Sequence, residues 1–517
     1  MNRKLIILFL LTFSSSLFAQ NERSLVEIPL NDYIVGTSYN YPEQIQRAFI
    51  DSATLYLTRN GGTWITDPKT YADLFQRNEA GTFNGRTSKI LSIEIRQDIA
   101  MAEIEVSISS AEARFSDLIL LKKVEGQWKI MSKIATRYKN TRYNRPQQKV
   151  IIDGLKTNWS MDFINEKEVL LAEKDGNLLR IDLSTQKKSI IQGFPSDLFQ
   201  PIKLDLSKYP AGTYPKDADG KVLRYNAGIL EILLDPNFSE NNWIYVSYIS
   251  QKSDTYALKV IRARLVGNEM KEIKTLLNPG PYVAGLFHFG GGMTFGQDGK
   301  LYITAGERLF FENLKKGLPI AQDVTDARGK IYRINSDGSI PKDNPDFGPK
   351  AIKGIYSLGI RAAQGITLNP VTGKIWFSEH GTIQGDEINL LEAGANYGWP
   401  NVTTGSYRSK DYQPASLPNP VYTDPIHYWL QTVAPTGLVF YNGNAFPKWK
   451  GNLIVPGLSR GSLWRISLEG KKVKQVEELF TDKHVRLRKA EMSPDGKLYI
   501  LTSEENGKII EIVASDS

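Results

Sequence analysis

No cysteine occurs in this chain. That excludes disulfide bonds, thiolate nucleophiles, thiolate metal centres and a lipid-carrying N-terminal cysteine. Histidine is nearly as scarce, with four residues in 517, so zinc chemistry is not expected. Any metal should be a hard cation held by oxygen. No block of one charge sign is present. The 64 Lys and Arg stand against 56 Asp and Glu, a net charge of +8 spread along the chain. Such a surface is a solvated basic face, and no nucleic-acid partner is expected. Beyond the N-terminus no apolar run is long enough to span a bilayer, so stable membrane insertion is not expected.

The apolar run that does exist sits at the start. Arg3 and Lys4 precede Leu5 to Leu11, extended through Phe13, and Ser14 to Ala19 offers small residues for cleavage before Gln20. This reads as a signal peptide over residues 1–19, and it implies a periplasmic or secreted protein. A hydrophobic fraction of 41% and a charged fraction of 23% suit a soluble globular chain. The length calls for two or more domains.

Residues 25–142 read as a small α+β domain. Pro42 to Arg59 has the spacing of an amphipathic helix, with Ile45, Phe49, Ala53, Tyr56 and Leu57 on one face. Asp67 is placed to cap a second helix around Tyr71 to Phe75, with Pro68 at its first position. Alternating strands follow at Ile90 to Ile95, Met101 to Ser107, Asp117 to Lys123 and Trp128 to Lys133, with a hairpin turn at Val124 to Gln127. The run DLILLKK from Asp117, followed by GQWKI from Gly126, resembles the NTF2-like cones, in particular the lumazine-binding-like ones. The segment has no histidine to build an acid/base site, so a packing or docking role is expected of it. Residues 143–149 read as a polar linker.

From residue 150 to 517 one short pattern recurs six times: strand, turn rich in Asp, Asn, Pro and Gly, then a strand of β-branched and aromatic residues. The second strands centre on Val169 to Ala172, Trp243 to Val246, Leu301 to Thr304, Ile375 to Ser378, Leu453 to Val455 and Leu498 to Leu501. Repeated short antiparallel sheets specify an all-β six-bladed β-propeller, here preceded by the α+β domain. A propeller gathers loops from every blade around one channel, so residues far apart in sequence converge.

Three stretches depart from this pattern. The run FHFGGGM carries His288, and the next strand ends at Glu307. Both would lie at the same end of neighbouring antiparallel strands, where a carboxylate fixes the imidazole tautomer and makes it a general base. The alternative is a structural histidine in a glycine-rich loop. Arg361 stands just before a strand, at a position where propeller loops face the channel. The segment from Glu379 to Glu387 is a long turn with carbonyls and carboxylates that suit calcium, or else a tight turn between blades.

Residues 154 to about 513 resemble the glucose/sorbosone dehydrogenases, soluble propellers that use pyrroloquinoline quinone. SLGIRAAQG from Ser357, EHG from Glu379, DEIN from Asp386 and NYGWP from Asn396 carry the resemblance. It implies His288 as catalytic base and Glu307 as its acidic partner. It implies Asn226, Arg361, Gln364, Arg486 and Arg488 as cofactor-binding residues, the arginine pair holding quinone carboxylates. The carbonyls of Gly381 and Thr382 match those holding the cofactor's calcium, and Glu387 with the Tyr397 carbonyl matches a structural calcium site. The chain departs from the family at Ala362, where Asn is usual, and at Ser459, where Lys is usual. Arg460 or calcium would then have to polarise the quinone. The resemblance implies an exported PQQ- and calcium-dependent dehydrogenase that oxidises an aldose or related polyol to its lactone and passes electrons to an external acceptor. The competing readings are a non-catalytic propeller that binds carbohydrate or protein, and a calcium-dependent lactonase-type hydrolase. Tyr428 and Trp429 would form either a sugar platform or inter-blade core.

Overall fold

The computed structural model describes residues 22–59, 62–108, 113–137, 146–174, 176–200, 225–308, 319–405, 421–459, 461–480 and 485–514. The expected signal peptide, the start of the expected linker and Arg460 lie outside the described residues. The chain divides into two compact units, Met1–Arg142 with Val476–Asp482, and Tyr143–Gln475 with Lys483–Ser517. No described helix is long and apolar enough to cross a membrane.

In the first unit a helix over residues 22–39, unanticipated from the sequence, buries Val26, Leu30, Tyr33 and Ile34. These positions recur on one face of a 3.6-residue period. The expected helix from Pro42 to Arg59 is corrected: it ends at Ala48, and Phe49–Arg59 is a strand. From Ala53 on, the buried side chains alternate as Ala53, Leu55 and Leu57, the period of a strand. Pairing with Gln127–Arg137 fixes that choice. The second helix, Pro68–Asp73, starts as expected, with the Asp67 carboxylate accepting from the Thr70 amide at 2.9 Å. The six strands run in the order Gly62–Thr66, Phe49–Arg59, Gln127–Arg137, Ala113–Val124, Ile99–Ile108 and Arg86–Arg96. The hairpin turn is as expected, with Glu125 and Gly126 both at positive φ.

Among the described residues from Pro146 on there are six four-stranded sheets. The six apolar segments picked out in the sequence are the second strands of these sheets, in order. Their first strands are Asn158–Phe163, Ile229–Leu234, Gly290–Phe295, Ala363–Leu368, Val439–Phe440 and Leu487–Met492. Each packs on the first strand of the next sheet, and the sixth packs on the first, closing a ring. This is a β-propeller. The linker expectation is corrected here, because Pro146–Leu155 is already strand and completes the sixth sheet beside Gly507–Ala514. One sheet is thus built from both ends of the unit, which holds the ring shut. Buried hydroxyls join neighbouring sheets: Ser247 donates to the Gly291 carbonyl (2.6 Å), Thr304 to that of Ala363 (3.2 Å) and Ser378 to that of Thr436 (2.8 Å).

Candidate active site

The residues singled out in the sequence sit at the leading ends of first strands. Asn226 precedes Ile229–Leu234, His288 precedes Gly290–Phe295, and Arg361 and Gln364 flank the start of Ala363–Leu368. Arg486 and Arg488 flank the start of Leu487–Met492. The ring therefore brings them to one end of the channel, because all its first strands start there.

His288 has φ of 53°, in the left-handed region that costs a non-glycine residue energy. A Cβ on Gly306 would overlap the His288 carbonyl, so only glycine lets the two strands approach there. The result is a 2.8 Å contact between His288 Nδ1 and Glu307 Oε1, with both residues buried. Arg361 Nη2 lies 3.4 Å from His288 Nε2. The bonding pattern therefore assigns Nδ1–H as donor to Glu307 and Nε2 as acceptor. The Glu307 amide donates to the Arg361 carbonyl at 2.9 Å, which closes a three-residue unit.

Arg361 is fixed from several directions. Its amide donates to the Glu379 carboxylate, its Nη1 to the His380 carbonyl at 3.0 Å, and its guanidinium lies 5.2 Å from the Trp399 ring centre. Arg488 stacks 3.6 Å from the Trp159 ring centre and donates from Nη1 to Gln364 Oε1 at 3.2 Å. Among the described residues its buried Nε has no hydrogen-bond partner. Burial, followed by the charge of Arg486, pushes Arg488 down to about 9. Arg486 Nη1 donates to the Leu458 carbonyl at 3.2 Å. The Asn226 amide donates to the Leu286 carbonyl at 2.8 Å, which ties it to the His288 loop.

Gly381, Glu387 and Tyr397 line one pocket with Arg361, Glu379 and Trp399, whereas Thr382 is buried nearby and does not line it. Burial, then the charge of Glu387, pushes Glu379 up to about 8, and burial pushes Glu387 up to about 7. A buried and a half-buried carboxylate that resist ionising together leave room for a cation. Among the described residues no group of three or more His, Asp or Glu side chains is arranged to hold a metal. A cation here would need carbonyl oxygen or water as well. Asp386 is spent otherwise: it accepts from the amides of Gly381 (2.8 Å), Val433 (2.7 Å) and Ala434 (2.7 Å) and clamps the turn.

Sequence reasoning gave no role to Glu379, Trp159 or Trp399. Their aromatic or acidic character at strand ends was visible, but their partners lie on other sheets or on the backbone. His380 is kept neutral, because burial followed by the charges of Arg488 and Arg361 pushes it down to about 3. Of the possible sugar platform, Trp429 is buried edge-on to Trp464, 5.6 Å between ring centres, while Tyr428 is exposed. Trp429 is core.

The Glucose / Sorbosone dehydrogenase family model matches residues 155–511, and the lumazine-binding-like model matches residues 21–135. Aldose sugar dehydrogenase YliI of Escherichia coli (strain K12) is 32% identical over 291 residues, covering 55% of this chain and 76% of that protein. Quinoprotein glucose dehydrogenase B of Acinetobacter calcoaceticus is 32% identical over 362 residues, covering 55% of this chain and 74% of that protein. Among solved structures, the soluble aldose sugar dehydrogenase from Escherichia coli in its apo-form superposes with a TM-score of 0.63 at 28% identity. It spans 71% of this chain and 99% of that one.

Proposed function

The chain belongs to the glucose/sorbosone dehydrogenase family, and on that premise we propose that it is an exported, PQQ- and calcium-dependent dehydrogenase that oxidises an aldose or related polyol to its lactone. We read the six sheets as the blades of one six-bladed propeller and its inner strand ends as the active site. The observation that carries this reading is the His288–Glu307 contact set beside Arg361, with Arg486 and Arg488 flanking the start of a strand that begins at the same end.

The residues fit the cofactor. Pyrroloquinoline quinone carries carboxylates, and Arg488 presents a buried cation with an unused Nε donor. Arg361, Arg486 and Arg488 would hold it, with Gln364 and Asn226 beside them. Glu387 and the Tyr397 carbonyl would hold a structural calcium, and the carbonyls of Gly381 and Thr382 the calcium of the cofactor. When bound, the quinone supplies the hydride acceptor. His288 takes the proton of the anomeric hydroxyl at Nε2, which Arg361 otherwise occupies. Glu307, at Nδ1, holds the tautomer that leaves Nε2 free to accept and stabilises the imidazolium that results. Trp159 and Trp399 keep their arginines flat and dry. Electrons leave to an external acceptor.

The test is reconstitution of the full chain with calcium and pyrroloquinoline quinone, then dye reduction with a panel of aldoses. Turnover that vanishes in His288→Ala, with quinone binding retained, supports the reading. Quinone binding without turnover by the parent chain would make this a binding propeller. Lactone hydrolysis with no quinone binding would make it a hydrolase.

A further inference from the structure

The first unit contains a buried polar cluster that the dehydrogenase reading does not use. Tyr33, on the helix over residues 22–39, donates to Asp117 Oδ2 at 2.8 Å and lies 3.4 Å from the Tyr71 hydroxyl. Arg86 Nη2 donates to the Tyr33 hydroxyl at 2.8 Å and is 3.7 Å from Asp117 Oδ2. Lys133 Nζ is 3.1 Å from the same carboxylate oxygen, with its ammonium 5.7 Å from the Tyr33 ring centre and 5.5 Å from that of Tyr71. All five residues are buried. Two helices and three strands deliver them to one place.

The charges do not balance. Arg86 and Lys133 face a single carboxylate, and Tyr33 cannot supply the missing negative charge, because burial keeps its phenol well above the ordinary value and hence neutral. The hydrogen bonds do not balance either. Guanidinium, ammonium and two phenols are rich in donors; among the described residues Asp117 is the one anionic acceptor in the cluster, and the buried Arg86 Nε has no partner. An uncompensated buried cation is costly, and an excess of donors with a net positive charge is the complement of one anion. The neighbours set the rest of the ligand. Ile104 is paired across the strands with Asp117 and Ile119 with Lys133, both fully buried. A strongly hydrated dianion is disfavoured against such walls.

We propose that the interior of the first unit is a binding site for a small monocarboxylate with an apolar body, its carboxylate held by Arg86 and Lys133 and oriented by the two tyrosines. Recognition of this kind needs no histidine.

The test is calorimetry and thermal shift on the full chain with sodium benzoate, benzamide and inorganic phosphate as probes. Saturable benzoate binding is expected, with benzamide and phosphate at least about tenfold weaker. In Arg86→Gln, benzoate should weaken by about tenfold or more, the worth of one charge-assisted hydrogen bond. In Arg488→Met, which alters the other unit, it should be unchanged. Lys133→Met is a second variant should Arg86→Gln fail to fold, and the benzoate-to-benzamide comparison on the parent chain decides even if both fail. Absence of saturable benzoate binding, equal binding of benzamide, preference for phosphate, or loss in Arg488→Met instead of Arg86→Gln would each overturn the proposal.

Discussion

Arg488→Met should make the cofactor-free chain more stable and weaken its hold on the proposed quinone. Arg488 is 5% exposed, stacks on Trp159 and has no carboxylate bonded to it. Its guanidinium is pushed down from its ordinary value to about 9. Keeping it charged in that environment costs about 5 kcal/mol. Methionine removes that cost and still covers Trp159. It gives up a buried cation–π contact of about 2 kcal/mol and a hydrogen bond to Gln364 of about 1 kcal/mol. The net gain is about 2 kcal/mol. The pH dependence has a definite sign. A basic group with a depressed folded value binds fewer protons in the native than in the unfolded state between about 9 and its ordinary value. The penalty is therefore constant below about pH 9 and is relieved only above it. The difference between variant and parent should accordingly be flat from pH 6 to pH 8. Urea denaturation without cofactor, followed by tryptophan fluorescence, measures the stability. Quinone affinity should fall about tenfold to a hundredfold. A variant less stable than the parent, or one that binds the quinone with undiminished affinity, would refute the assignment of Arg488 as a cation kept for an anionic ligand.

Glu307→Gln should lower kcat about a hundredfold with KM little changed, read by dye reduction after reconstitution; an effect confined to KM would place Glu307 outside proton transfer. Gly306→Ala should cost about 1–3 kcal/mol and most of the activity, because the new methyl group displaces the His288 backbone; a fully active variant would show that the His288 geometry is slack. Glu231 is buried between inner strands, 3.1 Å from Lys489, and burial still pushes it up to about 7. The native state therefore holds an extra proton, and this contribution to stability, about 3 kcal/mol, is present below about pH 4.5 and lost as pH rises through about 7. Glu231→Gln should flatten the stability profile between pH 5 and pH 8; an unchanged slope in urea midpoints would exclude this group as the cause.

The propeller was legible because strands covered on both faces read as near-continuous apolar runs, and each of the six runs became a second strand. The N-terminal misreading has an equally physical cause. Ile45, Phe49, Ala53 and Leu57 fit a helical stripe, while Ala53, Leu55 and Leu57 fit a strand, and only the partner strands Gly62–Thr66 and Gln127–Arg137 decide between them. The linker was misread at Pro146, because proline signals a break but costs nothing as the first residue of a strand. Of the site, the His288–Glu307 pair was legible, since antiparallel neighbours place both at one end. The Arg488–Trp159 stack was not, because it joins the last sheet to the first. Neither was the clamp of Glu379, whose carboxylate meets backbone amides that any residue would present. The cluster around Asp117 was hidden by the helix that carries Tyr33.

Both family departures lie in segments held by backbone hydrogen bonds. Ala362 is fully buried, and its amide lies 3.3 Å from the Glu379 carboxylate that also takes the Arg361 amide. The turn presenting Arg361 is thus held by backbone bonds that do not depend on the side chain at 362, and a polar side chain there would need its own buried partner. Ser459 lies in a loop tied through its amide to the Val433 carbonyl at 3.0 Å, next to the turn that Asp386 clamps. Arg486 donates to the carbonyl of Leu458 in the same loop, which ties the segment carrying Ser459 to that guanidinium. On the proposed reading, Arg486 rather than residue 459 is therefore the side chain whose removal should weaken quinone binding, read by titration of the reconstituted chain.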